Sequence, residues 1–179
     1  MRKNYCFAAL GVGILLLLIQ YVTKSLSVGG LIYGLLLLIG IIIMSDIDIR
    51  KYEIPNKILL YFLVLGLLRI ASDLMHLPGY FMAFLLMGGL LLAIAVLSGG
   101  KLGGGDIKLM AVAGLCLGLR DVFLALAVAS LVGTVVGLLL IAFKKIKKED
   151  YLPFGPFLGI GIYLAYLYGR QLWNWYLYL

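Results

Sequence analysis

Long apolar segments dominate this chain, and they restrict its possible folds more than any other feature. Seven of them follow one another with short connections, at residues 4–22, 28–45, 57–75, 80–98, 106–119, 121–143 and 154–172. Hydrophobic residues make up 64% of the chain and charged residues only 13%, too few polar groups to cover the surface of a soluble fold. Because lipid-exposed backbone must pair its own polar groups, helices are favoured. We predict one all-α domain over residues 1–179, a polytopic transmembrane helix bundle of six or seven spans, the fifth segment being short for a span.

The basic residues are divided unevenly between the two sets of segment ends, which predicts the orientation. One set carries Arg2, Lys3, Arg50, Lys51, Lys57, Lys101, Lys108, Lys144, Lys145, Lys147 and Lys148. The other set carries Lys24, Arg69, Arg120 and Arg170. Because basic loops are retained in the cytoplasm, the richer set predicts a cytoplasmic N-terminus and an external C-terminus in the plasma membrane. The net charge of +7 then reflects topology and attraction to anionic lipid, and nucleic-acid binding is not expected.

Two acidic residues are candidates for catalysis because of their place in this topology. Asp48 ends the second helix and Asp106 opens the fifth, both on the predicted cytoplasmic side, so helix packing could bring them together. Two carboxylates that share a site cannot both ionise cheaply. One then holds a proton while the other activates a water for attack on a peptide carbonyl. The sequence therefore allows an aspartyl dyad.

The histidine and cysteine content argues against other kinds of site. The single histidine, His76, lies on the opposite side of the predicted membrane, and Cys6 and Cys116 form no CxxC pair. A histidine–cysteine nucleophile pair or a histidine-rich metal site is therefore not expected. We predict no metal ion and no cofactor.

The stretch KLGGGDIKLM, residues 101–110, sets three glycines directly before Asp106. Without a Cβ, glycine lets the backbone turn sharply or lets another chain approach closely, which would give an extended substrate room beside the carboxylate. A phosphate-binding loop is disfavoured, because the GK[ST] ending is missing and no strand precedes the glycines. The alternative is a flexible loop in which Asp106 merely caps the next helix.

The other acidic stretch, SDIDIRKYEIPNK, sets Asp48 seven residues before Pro55. Pro55 lacks an amide donor and Asn56 can cap the third helix, so this loop could be no more than a shaped turn. Asp46 competes with Asp48 for the catalytic role. The two are two residues apart, so on a helix they would point to different faces.

Taken together and in this order, the motifs resemble those of the type IV prepilin peptidases and the related archaeal preflagellin peptidases, membrane aspartyl proteases with a GxGD motif. DIRKYEIPN resembles the first catalytic segment of these families, and GGGDIK matches the second, GxGDxK. PFGPFLGIG, from Pro153 to Gly161, is similar to their proline–glycine segment. The resemblance covers roughly residues 40–165 and leaves the helix at 4–22 as an additional N-terminal element.

The resemblance implies that Asp48 and Asp106 are the catalytic pair, and it favours Asp48 over Asp46. The residues that it implies to shape the loops or contact substrate are Gly103, Gly104, Gly105, Lys108, Pro55 and Asn56. Gly103 and Gly105 match the motif glycines, and Lys108 matches the motif lysine, whose role is left open.

The resemblance also implies the substrate. It would be a prepilin, pseudopilin or archaellin precursor whose short basic leader is cut before a hydrophobic helix at the cytoplasmic face. Many bacterial members carry a further cytoplasmic domain with paired CxxC motifs and also N-methylate the new terminus. This sequence resembles the short, peptidase-only forms, so methyltransferase activity is not expected. The particular precursor and the oligomeric state are left open.

Two other functions compete with a peptidase. A membrane transporter would use the cytoplasmic-side acids as an ion site, but no pair of matching halves is present and the acids lie at one interface. A non-catalytic secretion-assembly factor would keep the fold without needing both aspartates. The presenilin-like proteases also carry GxGD, but they pair it with a YD segment inside a helix.

Overall fold

The computed structural model describes residues 2–23, 27–100, 102–145 and 152–177, and it is all-helical over these ranges, with no strand. The α-helices are α1 (Arg2–Val22), α2 (Val28–Lys51), α3 (Asn56–Ser72), α4 (Leu77–Leu97), α5 (Gly104–Leu117), α6 (Leu119–Ala142) and α7 (Gly155–Leu177), with a 3₁₀ turn at Leu74–His76. Within these ranges, three stretches are long and apolar enough to cross a membrane: Val28–Lys51, Leu74–Leu97 and Leu119–Ala142. The predicted all-α bundle is confirmed, whereas the number of spans and their orientation stay predictions.

The short helix α5 lies at the centre of the bundle. It contacts α3, α4, α6 and α7, and nine of its 14 residues are buried. At 1.5 Å per residue it is about 21 Å long, less than the roughly 30 Å of a bilayer core. Because its neighbours enclose it on several sides, its apolar sequence serves helix packing, as expected for a helix that is hydrophobic all round.

Successive helices α2 to α7 alternate in direction. The ends of α2, α4 and α6 therefore meet the starts of α3, α5 and α7 at one end of the bundle, which we call the site end. A hydrogen bond from the Gly155 N–H to Asp48 joins α7 to α2 there. His76 lies at the opposite end, where its Nδ1 is 2.8 Å from Oδ1 of Asp73. The predicted separation of His76 from both aspartates is thus confirmed.

Close helix packing depends on glycine at two places in the bundle. A Cβ on Gly114 of α5 would lie 2.8 Å from the backbone carbon of Ala83 in α4. A Cβ on Gly161 of α7 would overlap the carbonyl oxygen of Ala125 in α6. Because only glycine allows these approaches, α5 and α7 are fixed against their neighbours.

Candidate active site

The second helix continues past its apolar segment and carries Asp48 into the site end. α2 runs to Lys51, six residues beyond the predicted end at residue 45. Asp46 and Arg50 form an i,i+4 ion pair of 2.8 Å on its exposed side, whereas Asp48 is only 4% exposed. The helix therefore continues three residues past Asp48, which was expected to be its last residue, and the prediction that Asp46 and Asp48 face different ways is confirmed.

The chain turns sharply at Tyr52, directly after α2. Tyr52 has a φ of 56° and a ψ of 30°, and its N–H donates to the carbonyl oxygen of Asp48 at 2.8 Å. This left-handed conformation is uncommon outside glycine and ends the helix. Pro55, in extended backbone, is then the N-cap of α3. Asn56 is already the first helical residue, so the expectation that it caps the third helix is wrong.

The three glycines before Asp106 do not form the sharp turn that was expected. Gly103 is the N-cap of α5, and Gly104 and Gly105 belong to its first turn. The turn lies upstream, at Gly99 and Gly100, whose φ angles are 68° and 81°. A run of glycines indicates where the backbone can adopt unusual φ angles, but it does not show which residue adopts them.

Close approach does occur at Gly105, but the approaching group belongs to the same chain. A Cβ on Gly105 would lie 3.1 Å from Cβ of Ile54, which is itself buried. Asp106 follows in the first turn of α5, near the positive end of the helix dipole, which favours a carboxylate. The alternative that Asp106 caps the helix is wrong, because the N-cap is Gly103.

Asp48 and Asp106 line one cavity of about 380 Å³ at the site end, and they are 4% and 6% exposed. The other residues that line it are Tyr52, Glu53, Ile54, Pro55, Asn56, Gly103, Gly104, Gly105 and Lys108. All the site residues named from the sequence therefore lie on this cavity. Their chemical roles remain a prediction.

Burial and the neighbouring carboxylate change how Asp106 ionises. Burial is the larger cause and the negative charge of Asp48 the smaller, and together they raise the pKa of Asp106 to about 6. Asp106 lies outside the three candidate spans. A carboxyl group with such a pKa can hold a proton at mildly acidic to neutral pH, as a general acid must.

The start of α7 contacts the other carboxylate. The Gly155 N–H donates to Oδ2 of Asp48 at 2.8 Å. The sequence marked this segment only as a proline–glycine motif and did not point to Asp48. Tyr52, Glu53 and Ile54 on the cavity wall were also missed as site residues, although they lie between Asp48 and Pro55 in the first motif.

Taken together, the apolar spans and the cavity define a helical membrane protein with a paired-carboxylate site at one end of its bundle. The sequence model of the type IV leader peptidase family matches residues 35–138, which is more than half of the chain. The chain belongs to this family. The match includes both aspartates and ends before the segment that begins at Pro153.

Curated relatives named prepilin leader peptidase/N-methyltransferase are similar to this chain. The Bacillus subtilis (strain 168) protein is 36% identical over 142 residues, which cover 76% of this chain and 56% of the relative. The Aeromonas hydrophila protein is 32% identical over 175 residues, 89% of this chain and 60% of the relative. The Stutzerimonas stutzeri protein is 31% identical over 144 residues, 77% and 50%. The chain thus spans about 50–60% of the length of these relatives. No solved structure gave a significant match.

Proposed function

We propose that this chain is an aspartic-type endopeptidase that removes the short basic leader from prepilin-like precursors, such as type IV pilins, Flp pilins, pseudopilins or archaellins. The observation that carries this proposal is the cavity in which Asp48 and Asp106, from two different helices, are both buried. Family membership and the names of the relatives support leader cleavage and argue against a transporter. We limit the activity to cleavage and do not extend it to methyl transfer.

The two carboxylates divide the chemistry between them in this proposal. Asp48, whose Oδ2 already accepts a hydrogen bond, takes a proton from a water as the water oxygen attacks the scissile carbonyl carbon. Asp106 holds the shared proton and donates it to the carbonyl oxygen, as its raised pKa permits. When the tetrahedral intermediate collapses, the C–N bond breaks and the proton on Asp48 passes to the leaving amine. Asp106 takes back a proton from one of the two hydroxyl groups as they become the new carboxyl group, which restores the shared proton. The reaction uses only water and the two side chains.

We place the site end at the cytoplasmic face of the plasma membrane. Among the residues whose side chains the structure describes, six basic residues flank that end, namely Arg50, Lys51, Lys57, Lys108, Lys144 and Lys145, against Arg69, Arg120 and Arg170 at the other end. This asymmetry supports the orientation. Of the other basic residues used in the prediction, Lys24, Lys101, Lys147 and Lys148 lie outside the described residues, and only the backbone of Arg2 and Lys3 is described. The apolar outer surface would contact membrane lipid, and a precursor would present its leader from the cytoplasm.

Cleavage of a model precursor by the purified protein in liposomes tests the proposal. The precursor carries a short basic leader, a glycine and an apolar helix, and mass spectrometry measures the loss of the leader. Asp48→Asn and Asp106→Asn should each be inactive although folded. Asp46→Asn is the matched control, because it removes a similar carboxylate two residues from Asp48 and should retain activity. Full activity of Asp106→Asn would sink the assignment, and loss only in Asp46→Asn would show that the wrong acid was chosen.

A further inference from the structure

The first turn of α7 leaves one backbone N–H directed at Asp48. The N–H groups of Phe157 and Leu158 both donate to the carbonyl oxygen of Phe154, at 3.0 and 3.1 Å. Pro156 has no N–H to donate. The N–H of Gly155 has no partner within the helix, as is general for the first helical residues, and it donates to Oδ2 of Asp48. The sequence FGP thus presents one donor to a buried carboxylate.

The start of α7 is held in place from its other side by α6. A Cβ on Gly133 would lie 3.0 Å from the ring of Phe154 and 3.4 Å from the ring of Phe157. The two rings therefore pack against bare backbone of α6. Because Phe154 directly precedes Gly155, this packing fixes the position of the N–H that faces Asp48.

Gly155 also has to lack a side chain for this contact to form. A Cβ there would lie 2.6 Å from Oδ2 of Asp48 and 2.9 Å from its Cγ. One turn further along α7, a Cβ on Gly159 would lie 2.6 Å from Cγ2 of Ile41, also on α2. The two glycines thus make equally close approaches to the same helix, but only Gly155 meets a candidate catalytic group.

We propose that Gly155 is a positioning residue of the active site: its N–H holds Oδ2 of Asp48 and leaves Oδ1 to bind the attacking water. This inference rests on the proposed function. The positive end of the α7 dipole adds to the attraction, just as the first turn of α5 does for Asp106. Each carboxylate therefore meets a helix N-terminus, one through its own helix and one through a neighbouring helix.

The kinetic test compares Gly155→Ala with Gly159→Ala on the model precursor. The Cβ at position 155 must displace the Asp48 carboxylate from the Gly155 N–H. We therefore expect kcat to fall by about 10- to 100-fold, the rate factor that corresponds to the loss of one hydrogen bond to a charged group. KM should stay within about twofold, because substrate binding is not altered. Gly159→Ala should leave kcat within about twofold. Equal effects of both substitutions, or a change in KM alone for Gly155→Ala, would overturn the inference.

A double-mutant cycle on the melting temperature tests the same contact without measuring cleavage. Asp48→Ala removes the atoms that the new Cβ would meet most closely, so Gly155→Ala should lower the melting temperature less in that background than in the wild-type protein. Gly159→Ala should lower it equally in both. If Gly155→Ala lowers the melting temperature equally in both backgrounds, or fails to fold in both, the proposed contact between Gly155 and Asp48 is wrong. If the cycle shows coupling but the wild-type protein cleaves no precursor, the proposed leader cleavage is wrong. The contact between Gly155 and Asp48 is then supported, but its proposed catalytic role is not.

Discussion

Asp106→Asn should stabilise the folded protein near neutral pH, because it removes a carboxylate that is hard to ionise in its buried position. The pKa of Asp106 rises from 3.8 to about 6 on folding. A difference of about 2 units corresponds to about 3 kcal/mol. The folded protein keeps a proton that the unfolded chain releases, so the wild-type protein loses stability as the pH rises from about 4 to about 6 and stays at the lower level above it. Asparagine cannot ionise, so the free energy of unfolding of the variant does not have this pH dependence. Relative to the wild-type protein, it should therefore increase by about 3 kcal/mol from pH 4 to pH 8.

Thermal unfolding in detergent micelles at pH 4, 5, 6, 7 and 8 measures this gain. For a protein of this size, about 3 kcal/mol corresponds to roughly 6–12 °C in melting temperature. The control is Asp46→Asn, which removes an exposed partner of Arg50 and should change stability by only about 0.5 kcal/mol. A difference between Asp106→Asn and wild type that does not depend on pH, or that grows toward low pH, would refute the reasoning.

Three further outcomes are expected. The value of kcat/KM should fall on the alkaline side as the pH passes through about 6, because the shared proton on Asp106 is lost; a flat profile from pH 5 to pH 8 would contradict this. Metal chelators should leave the cleavage rate unchanged, since the proposed reaction has no metal-dependent step; inhibition that added metal reverses would show otherwise. Reporters fused after Lys148 and at Leu179, both outside the described residues, should read cytoplasmic and external respectively. An external signal at Lys148 would reverse the orientation.

Hydropathy predicted most of the fold because an apolar segment in lipid must pair its own backbone polar groups and therefore forms a helix. The predicted segment at 106–119 became α5, shifted by two residues, although its length of 14 residues left open whether it spans. Hydropathy could not show that α5 is the central helix. That property depends on which neighbours pack against it, as at Gly114 and Ala83.

The motifs predicted which residues line the candidate site, but they did not predict the backbone conformation or the long-range contacts that place those residues. The sequence named Asp48, Asp106 and the residues around them, and these residues share one cavity. The path of the chain between Asp48 and Pro55 was not predictable, because it depends on a left-handed Tyr52, a conformation that sequence signals only where glycine or asparagine stands. The hydrogen bond from Gly155 joins residues 107 positions apart in the chain, and no local pattern encodes such a contact.

The central claim is that Asp48 and Asp106 act as one catalytic unit, and a double-mutant cycle on cleavage tests it most directly. Single-turnover rates on the model precursor would be measured for wild type, Asp48→Asn, Asp106→Asn and the double variant. If each carboxylate needs the other, both single variants should fall to the same residual rate, and the double variant should be no slower. Losses that add on a logarithmic scale would mean that the two aspartates act independently, and substantial cleavage by the double variant would remove both from the mechanism.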